Sequence, residues 1–225
     1  MNIDMILSSL PSLLSGAWVT VQLVVLSLSL GFVLALAVAF GRMSSNKAVS
    51  GITGAYVFLF RSTPLLVQIF LIYYGLGQFA GIRESFLWPV LREAYWCAII
   101  ALTLNTAAYT GEIMRGGIQS VPFGQIEAAR ALGMSRPLLY RRIVLPQALR
   151  QILPAYGNEM IQMVQATSLA SAITLVELTG AARTIASRSF QPVEMFIIAG
   201  AIYLAMTFAI TQGVRWAEKK SAAEV

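Results

Sequence analysis

Glu159 is the residue whose type and place first suggest chemistry. It is the single charge in the 26-residue stretch Gln151–Val176, whose other side chains are apolar or neutral. On a helical wheel Asn158, Gln162, Gln165 and Glu159 share one arc of about 120°, so this helix is expected to carry a wet face. A charge at the centre of a bilayer costs about 2.5–3.5 kcal/mol even on lenient insertion scales, and a carboxylate there wants a cation. Arg61 could supply it in a structural ion pair; otherwise the cation arrives with a ligand, as a guanidinium, ammonium or imidazolium. Asn158, Gln162 and Gln165 could equally bond between helices. Asn105, Thr106 and Tyr109 offer hydrogen-bond donors and acceptors for a polar ligand, with 105 and 109 one turn apart. Thr63-Pro64 should free a carbonyl one turn back, at about Phe60, and broken helices at mid-depth present backbone to solutes. Arg61 could hold a carboxylate, gate a path, or simply mark the cytoplasmic side.

Other chemistry is excluded by composition. A lone cysteine, Cys97, and the absence of histidine leave no His/Cys metal site and no histidine acid–base catalysis. No Gly-Lys pair occurs, so the phosphate-cradling G-x4-G-K-[ST] loop is missing and the chain is not expected to hydrolyse ATP. An intramembrane enzyme would need a nucleophile and base at depth, and one Glu with no intramembrane Asp argues against it.

These residues need elements to position them. Of 225 residues 57 % are apolar and 12 % charged, with mean hydropathy +0.72, whereas soluble domains carry about 25 % charged residues. Uncharged runs cover Met5–Gly41, Ser62–Ile82, Ala94–Gly111 and Met195–Val214, and Gln151–Val176 is broken only by Glu159. About 20 apolar residues span a ~30 Å hydrocarbon core. The expectation is an all-α membrane protein of five transmembrane helices, about 16–41, 56–80, 94–114, 151–176 and 193–214, forming one domain over 1–225. Ala35-Leu36-Ala37 and Ala37-Val38-Ala39 look like signal cleavage sites. The run is too long for a signal peptide, its only preceding charge is Asp4, and Arg42 and Lys47 follow it, so it is expected to stay uncleaved.

Twelve of the 16 Lys and Arg fall in the segments that are inside if the N-terminus is outside: Arg42, Lys47 and Arg61; Arg115, Arg130, Arg136, Arg141, Arg142 and Arg150; Arg215, Lys219 and Lys220. Arg83, Arg92, Arg183 and Arg188 remain outside. The positive-inside rule then gives N-out, C-in, with 115–150 cytoplasmic. The net charge of +6 is accounted for by topology, and nucleic acid is not an expected partner. Glu159 and Asn105 lie about 12 and 17 Å from opposite helix ends, both near mid-depth. Glu112 and Arg115 are expected to pair locally. Trp18, Trp88, Trp96 and Trp216 read as an interfacial belt, and Tyr73, Tyr74 and Tyr95 read as part of that belt or, alternatively, of an outer vestibule. Ala35, Ala39, Ala37 and Gly41 read as a close-packing stripe.

The loop 115–150 has its own pattern. Val121-Pro122 should stop one helix, Phe123–Leu132 should form a short amphipathic helix closed by a left-handed Gly133, and Ser135 with Pro137 should start a second one that runs to about Leu145 and stops near Pro146. Six Arg against Glu127 alone would suit a lipid-headgroup anchor. The order of residues says more: Glu127-Ala128-Ala129, three residues, Gly133, nine residues, Ile143, one residue, Leu145-Pro146.

This order resembles the EAA-x3-G-x9-I-x-LP loop of ABC importer permeases at every defined position. Arg61-Ser62-Thr63-Pro64-Leu65, Leu104-Asn105-Thr106-Ala107-Ala108-Tyr109-Thr110-Gly111-Glu112-Ile113, Arg115-Gly116-Gly117-Ile118 and Leu153-Pro154-Ala155-Tyr156-Gly157-Asn158-Glu159 narrow the likeness to polar amino acid uptake permeases. They are most similar to the M-type subunits of histidine, arginine and opine importers. The resemblance runs from about Gly16 to Lys219 and departs at Ser62, where the family usually has Gly.

It implies a multi-pass subunit of a bacterial inner-membrane importer for a polar, chiefly basic, amino acid or an opine, with a neutral substrate such as glutamine as the alternative. The implied partners are a second, identical or homologous permease subunit, two ATP-binding subunits and an extracytoplasmic solute-binding protein, with ATP and Mg held by the ATPase and no cofactor in this chain. Glu127, Ala128, Ala129, Gly133, Ile143, Leu145 and Pro146 would form the coupling element that seats on the ATPase, and an acid in the place of Glu159 would meet the substrate's cationic side chain. A small channel or scaffold would leave the loop pattern unexplained.

Overall fold

The computed structural model describes residues 3–223, with side chains over 5–221; Met1, Asn2, Glu224, Val225 and the Asp4 carboxylate used in the topology argument lie outside the described residues. No strand occurs among the described residues. Three helices are long and apolar enough to cross a membrane, or up to five if each of two bent pairs is one span.

The first helix, α1 (Ile3–Arg42), begins well before the expected position 16, with Pro11 inside it. Its 40 residues make a rod of about 60 Å, longer than a bilayer core needs. Helix α2 (Lys47–Ser62) is capped by Asn46, whose side chain accepts from Ala48 N at 2.9 Å. It stops at Thr63, which is extended at φ −112° and ψ 144° as the residue before a proline must be. Helix α3 (Leu65–Phe70) then departs at 106° and loosens through a π turn, Leu71–Gly75, and a 3₁₀ turn, Leu76–Gln78. The single helix expected over 56–80 is therefore two pieces hinged at Thr63-Pro64. Two short helices, α4 (Ala80–Arg83) and α5 (Trp88–Leu91), lead to α6 (Ala94–Gln119).

Beyond it lie α7 (Phe123–Ala131), α8 (Arg136–Leu139), a π turn over Tyr140–Val144 and α9 (Leu145–Ala166). Pro146 does not end a helix. It sits in the first turn of α9, where a missing N–H costs no hydrogen bond, so the second loop helix runs on into the membrane helix. Ser135 makes no side-chain cap bond. After a 3₁₀ segment, Thr167–Ile173, the left-handed Thr174 (φ 68°) turns the chain and α10 (Leu178–Ser189) follows, bent 50° from the preceding helix. Sequence reasoning had no helix there. The last element is α11 (Pro192–Ala223).

Helix α1 lies along α6, with Leu23, Leu28, Ile69, Ile99, Leu102, Met163 and Ile173 forming the central core between α1, α3, α6, α9 and the 3₁₀ segment after α9. A second core, Leu13, Leu178, Ala182, Met195 and Ala199, joins α1, α10 and α11. Contact in lipid depends on close approach rather than on expelling water. A Cβ on Gly111 would stand 2.7 Å from Val38 Cγ1 of α1, and Ala35 and Ala39 are buried beside Met114. Gly41 is buried too, whereas Ala37 is exposed, so only part of the expected small-residue stripe packs. Leu30, Val33 and Phe40 of α1 and Leu204 and Phe208 of α11 are exposed, which is ordinary where lipid is the solvent.

Candidate functional site

The break at Thr63-Pro64 builds one wall of a cleft. Pro64 leaves the Phe60 carbonyl without its helical donor, and Gln68 fills the role: its Nε2 donates to Phe60 O at 2.9 Å, Thr63 O at 3.1 Å and Thr63 Oγ1 at 2.9 Å. Gln68 Oε1 in turn accepts from Asn105 Nδ2 at 3.0 Å, and the same Nδ2 lies 3.4 Å from Phe60 O. The freed carbonyl is where the proline rule puts it. What sequence reasoning missed is the buried Gln68 that answers it, four residues past the proline. Asn105 thereby spends its amide nitrogen on holding the hinge, and its Oδ1 has no hydrogen-bond partner among the described residues. A further tie between α2 and α6 comes from Tyr56 Oη, which donates to Leu104 O at 2.5 Å.

Glu159 projects from α9 into the gap and is only 7 % exposed. Its Oε1 accepts from Thr106 Oγ1 at 2.8 Å, and Thr106 lies 3.5 Å from Thr110 Oγ1. Thr63, Asn105, Tyr109, Glu159 and Gln162 line one cavity of about 260 Å³, together with the apolar Pro64 and Met163. Thr106 is fully buried behind the carboxylate rather than in the cavity, and Asn158 is exposed elsewhere on α9. Gln162 and Gln165 are also exposed. The wet face of α9 thus divides between the cavity and the outer surface of this chain.

Arg61 does not pair with Glu159. Its guanidinium carbon lies over the Tyr109 ring, 5.1 Å from the centroid, a cation–π arrangement, and no ion pair to it occurs among the described residues. Arg61, Ser62, Tyr109, Arg42 and Glu112 line a second cavity of about 450 Å³. Glu112 pairs with Arg115 at 2.7 Å as its spacing suggested, and also with Arg42 at 2.9 Å, which no local pattern could reveal because Arg42 comes from α1.

Glu177 is a second buried carboxylate that sequence reasoning passed over, because it stands at the edge of an apolar run. It is wholly buried and caps α10, accepting from Thr179 N at 2.9 Å and Gly180 N at 2.8 Å. Tyr203 Oη at 2.8 Å and Thr20 Oγ1 at 3.4 Å complete its shell. With every direction filled from within the chain, it reads as a joint between α1, α10 and α11.

At the Arg42 end of α1, residues 121–144 fold into a small hairpin of their own. Val121, Ala129, Leu139 and Val144 form its core. Gly133 has φ +75°, Gly133 N donates to Arg130 O at 2.9 Å and Met134 N to Ala129 O at 3.1 Å. Those two bonds are a Schellman closure of α7. Glu127 and Ala128 are exposed while Ala129 is buried, and Phe123, Leu132 and Leu145 are exposed apolar side chains flanking them; Ile143 packs against the hairpin core and Pro146 is exposed.

Comparison with known proteins gives concordant likenesses. Residues 27–222 match the family model described as binding-protein-dependent transport system inner membrane component. The chain is 56 % identical over 219 residues to the nopaline transport system permease protein NocM of Agrobacterium fabrum, covering 97 % of this chain and 91 % of that one. It is 44 % identical to the histidine/lysine/arginine/ornithine transport system permease protein HisM of Escherichia coli, covering 92 % and 87 %. Among solved structures, an amino acid ABC transporter crystallised with histidines superposes with TM-score 0.88 at 36 % identity, covering 98 % of this chain and 99 % of that one.

Proposed function

The chain belongs to the binding-protein-dependent transport system inner membrane components, and from that premise we propose that it is the permease subunit through which an ATP-driven importer passes a basic amino acid, or an opine built from one, across the bacterial inner membrane. One observation carries the basic specificity: the Glu159 carboxylate borders a cavity and has no cation of the chain paired with it among the described residues. A buried acid with an empty place beside it suits a ligand that brings the positive charge. A neutral amino acid such as glutamine would leave that charge uncompensated.

In this reading Glu159 takes the cationic group, Asn105, Thr63, Tyr109, Gln162 and Asn158 shape and wet the path, Thr106 holds Glu159 in place, and Arg61 serves the carboxylate end. The topology is N-out, C-in. The hairpin at 121–144 is the cytoplasmic coupling element, with Glu127, Ala128, Ala129 and Gly133 on the helix that enters the ATPase and Ile143, Leu145 and Pro146 fixing its return. Energy comes from two ATP-binding subunits that hold ATP and Mg, a second permease subunit completes the path, and an extracytoplasmic solute-binding protein delivers the substrate. The test is thermal stabilisation of the purified complex by a panel of amino acids, because a ligand that binds only the folded state raises its stability by mass action. Arginine, lysine, histidine or an opine should raise Tm, and stabilisation by glutamine alone would overturn the basic assignment.

A further inference from the structure

Helices α1 and α6 end at one level. Gly31 sits against Thr106, Val38 against Gly111, and Ala39 packs with Met114, so the two run parallel and in step, α1 ending at Arg42 and α6 at Gln119. Both helix ends and the hairpin of residues 121–144 wall a cavity of about 710 Å³, within the range of about 300–1,000 Å³ usual for small-molecule sites. None of the candidate substrate residues lines it.

The lining is amphiphilic and its charge has one sign. Ile118, Phe123 and Ile126 supply an apolar wall, and Arg42, Gln119 and Arg130 a polar one, with no acidic side chain among the lining residues. Arg42 pairs with Glu112, but Glu112 is shared with Arg115, so that corner keeps a net positive charge. Arg130 adds another: it is exposed, and its guanidinium has no ion pair among the described residues. A small anion would leave the apolar wall unused, and a bare hydrocarbon chain would leave the guanidiniums unused. A molecule with a phosphate at one end and a chain at the other uses both. Basic pockets at the ends of membrane helices take anionic headgroups in this way, and exposed Phe123 offers an aromatic ring at the depth where such rings settle.

We propose that this cavity binds an anionic phospholipid, its phosphate taken by Arg42 and Arg130 and its acyl chain laid along Ile118, Phe123 and Ile126. The lipid then bridges α1 to α7 and braces the hairpin against the membrane helices. The excess of arginine over Glu127 in residues 115–150 thereby acquires a place. The assignment leans on the proposed topology only for which leaflet supplies the lipid, and is independent of the substrate.

The experiment titrates the assembled transporter, purified in neutral detergent, with four probes: dioctanoyl phosphatidylglycerol, dioctanoyl phosphatidylcholine, glycerol-1-phosphate and inorganic phosphate. Retained ligand is counted by native mass spectrometry and Tm is followed in parallel. Phosphatidylglycerol should bind about tenfold or more tighter than the other three. Arg130→Gln should weaken it about tenfold and Arg130→Lys less, whereas Arg136→Gln, which removes the same charge from the hairpin outside the cavity, should change it by less than about twofold. Phe123→Ser should weaken phosphatidylglycerol and leave glycerol-1-phosphate as before. An equal loss in Arg136→Gln and Arg130→Gln would mean diffuse attraction to a basic surface and overturns the proposal. Either free phosphate binding as tightly as phosphatidylglycerol assigns the site to a soluble anion and overturns the lipid. No preference for phosphatidylglycerol over phosphatidylcholine means that a protein surface of the assembly covers the cavity, and the proposal fails. Detergent has no sides, so none of these failures bears on the topology or on the substrate assignment.

Discussion

The Thr106 hydroxyl donates to Glu159 Oε1 at 2.8 Å across the contact between α6 and α9, while Oε2 has no hydrogen-bond partner among the described residues. One oxygen is tethered, and under the proposed function the other takes the ligand. Replacing Thr106 by the isosteric Val removes the tether and keeps the methyl that packs on Gly31. Thr106→Val should lower affinity for a cationic amino acid by about tenfold or more, since one hydrogen bond to a charged group is worth about 1.5–3 kcal/mol, and should also lower Tm because Oε1 is left bare in a buried place. Equilibrium binding to the assembled transporter, beside a melting curve, checks it.

The hinge offers a second outcome. Gln68 satisfies the carbonyls of Phe60 and Thr63 that the proline break exposes. Gln68→Leu leaves them bare in a buried place and should cost about 1–3 kcal/mol, seen as a lower Tm. A Pro64→Ala, Gln68→Leu double variant should regain part of that loss, because alanine can resume the helix; a Tm equal to that of Gln68→Leu alone would count against the argument.

How far the sequence could be read shows in this hinge. Proline chemistry is local, so the break and the carbonyl at Phe60 were legible from Thr63-Pro64 alone. Gln68 was not, since nothing in an apolar run says which polar side chain turns back. Gly133 and the short helix before it were legible for the same local reason. Arg42 meeting Glu112 depends on α1 lying along α6, and α10 depends on Glu177 capping it from a position where charge reads as the end of a membrane span. Pro146 misled because a proline stop and a proline in a first turn look alike until the preceding turn is seen.

Gly133 faces open space, so a side chain there meets no atom within 4 Å and the whole penalty is the backbone's. At φ +75° an L-residue costs about 1–2 kcal/mol, less for Asn and more for a β-branched residue. Gly133→Val should distort the hairpin and reduce recovery of the ATPase subunit in pull-downs of the complex, with Gly133→Asn close to wild type. Equal recovery for both variants would contradict the coupling assignment.

Glu177 accepts from four donors and touches no cavity of the candidate site. Glu177→Ala should therefore destabilise the complex by at least about 1.5–3 kcal/mol, while ligand affinity of the surviving folded fraction stays within about twofold of wild type. Loss of affinity at full stability would move Glu177 from a joint to a binding residue.

The central claim is that the cation for Glu159 comes with the substrate and not from Arg61. A double-variant cycle of Glu159→Gln and Arg61→Gln, read as Tm and as arginine-induced stabilisation of the assembled transporter, measures it directly. The account predicts that Glu159→Gln abolishes most of the arginine-induced shift, that the ligand-free Tm of each single variant stays near wild type, and that the two substitutions show no coupling in stability. Strong stability coupling between them, with the arginine-induced shift intact in Glu159→Gln, would contradict it.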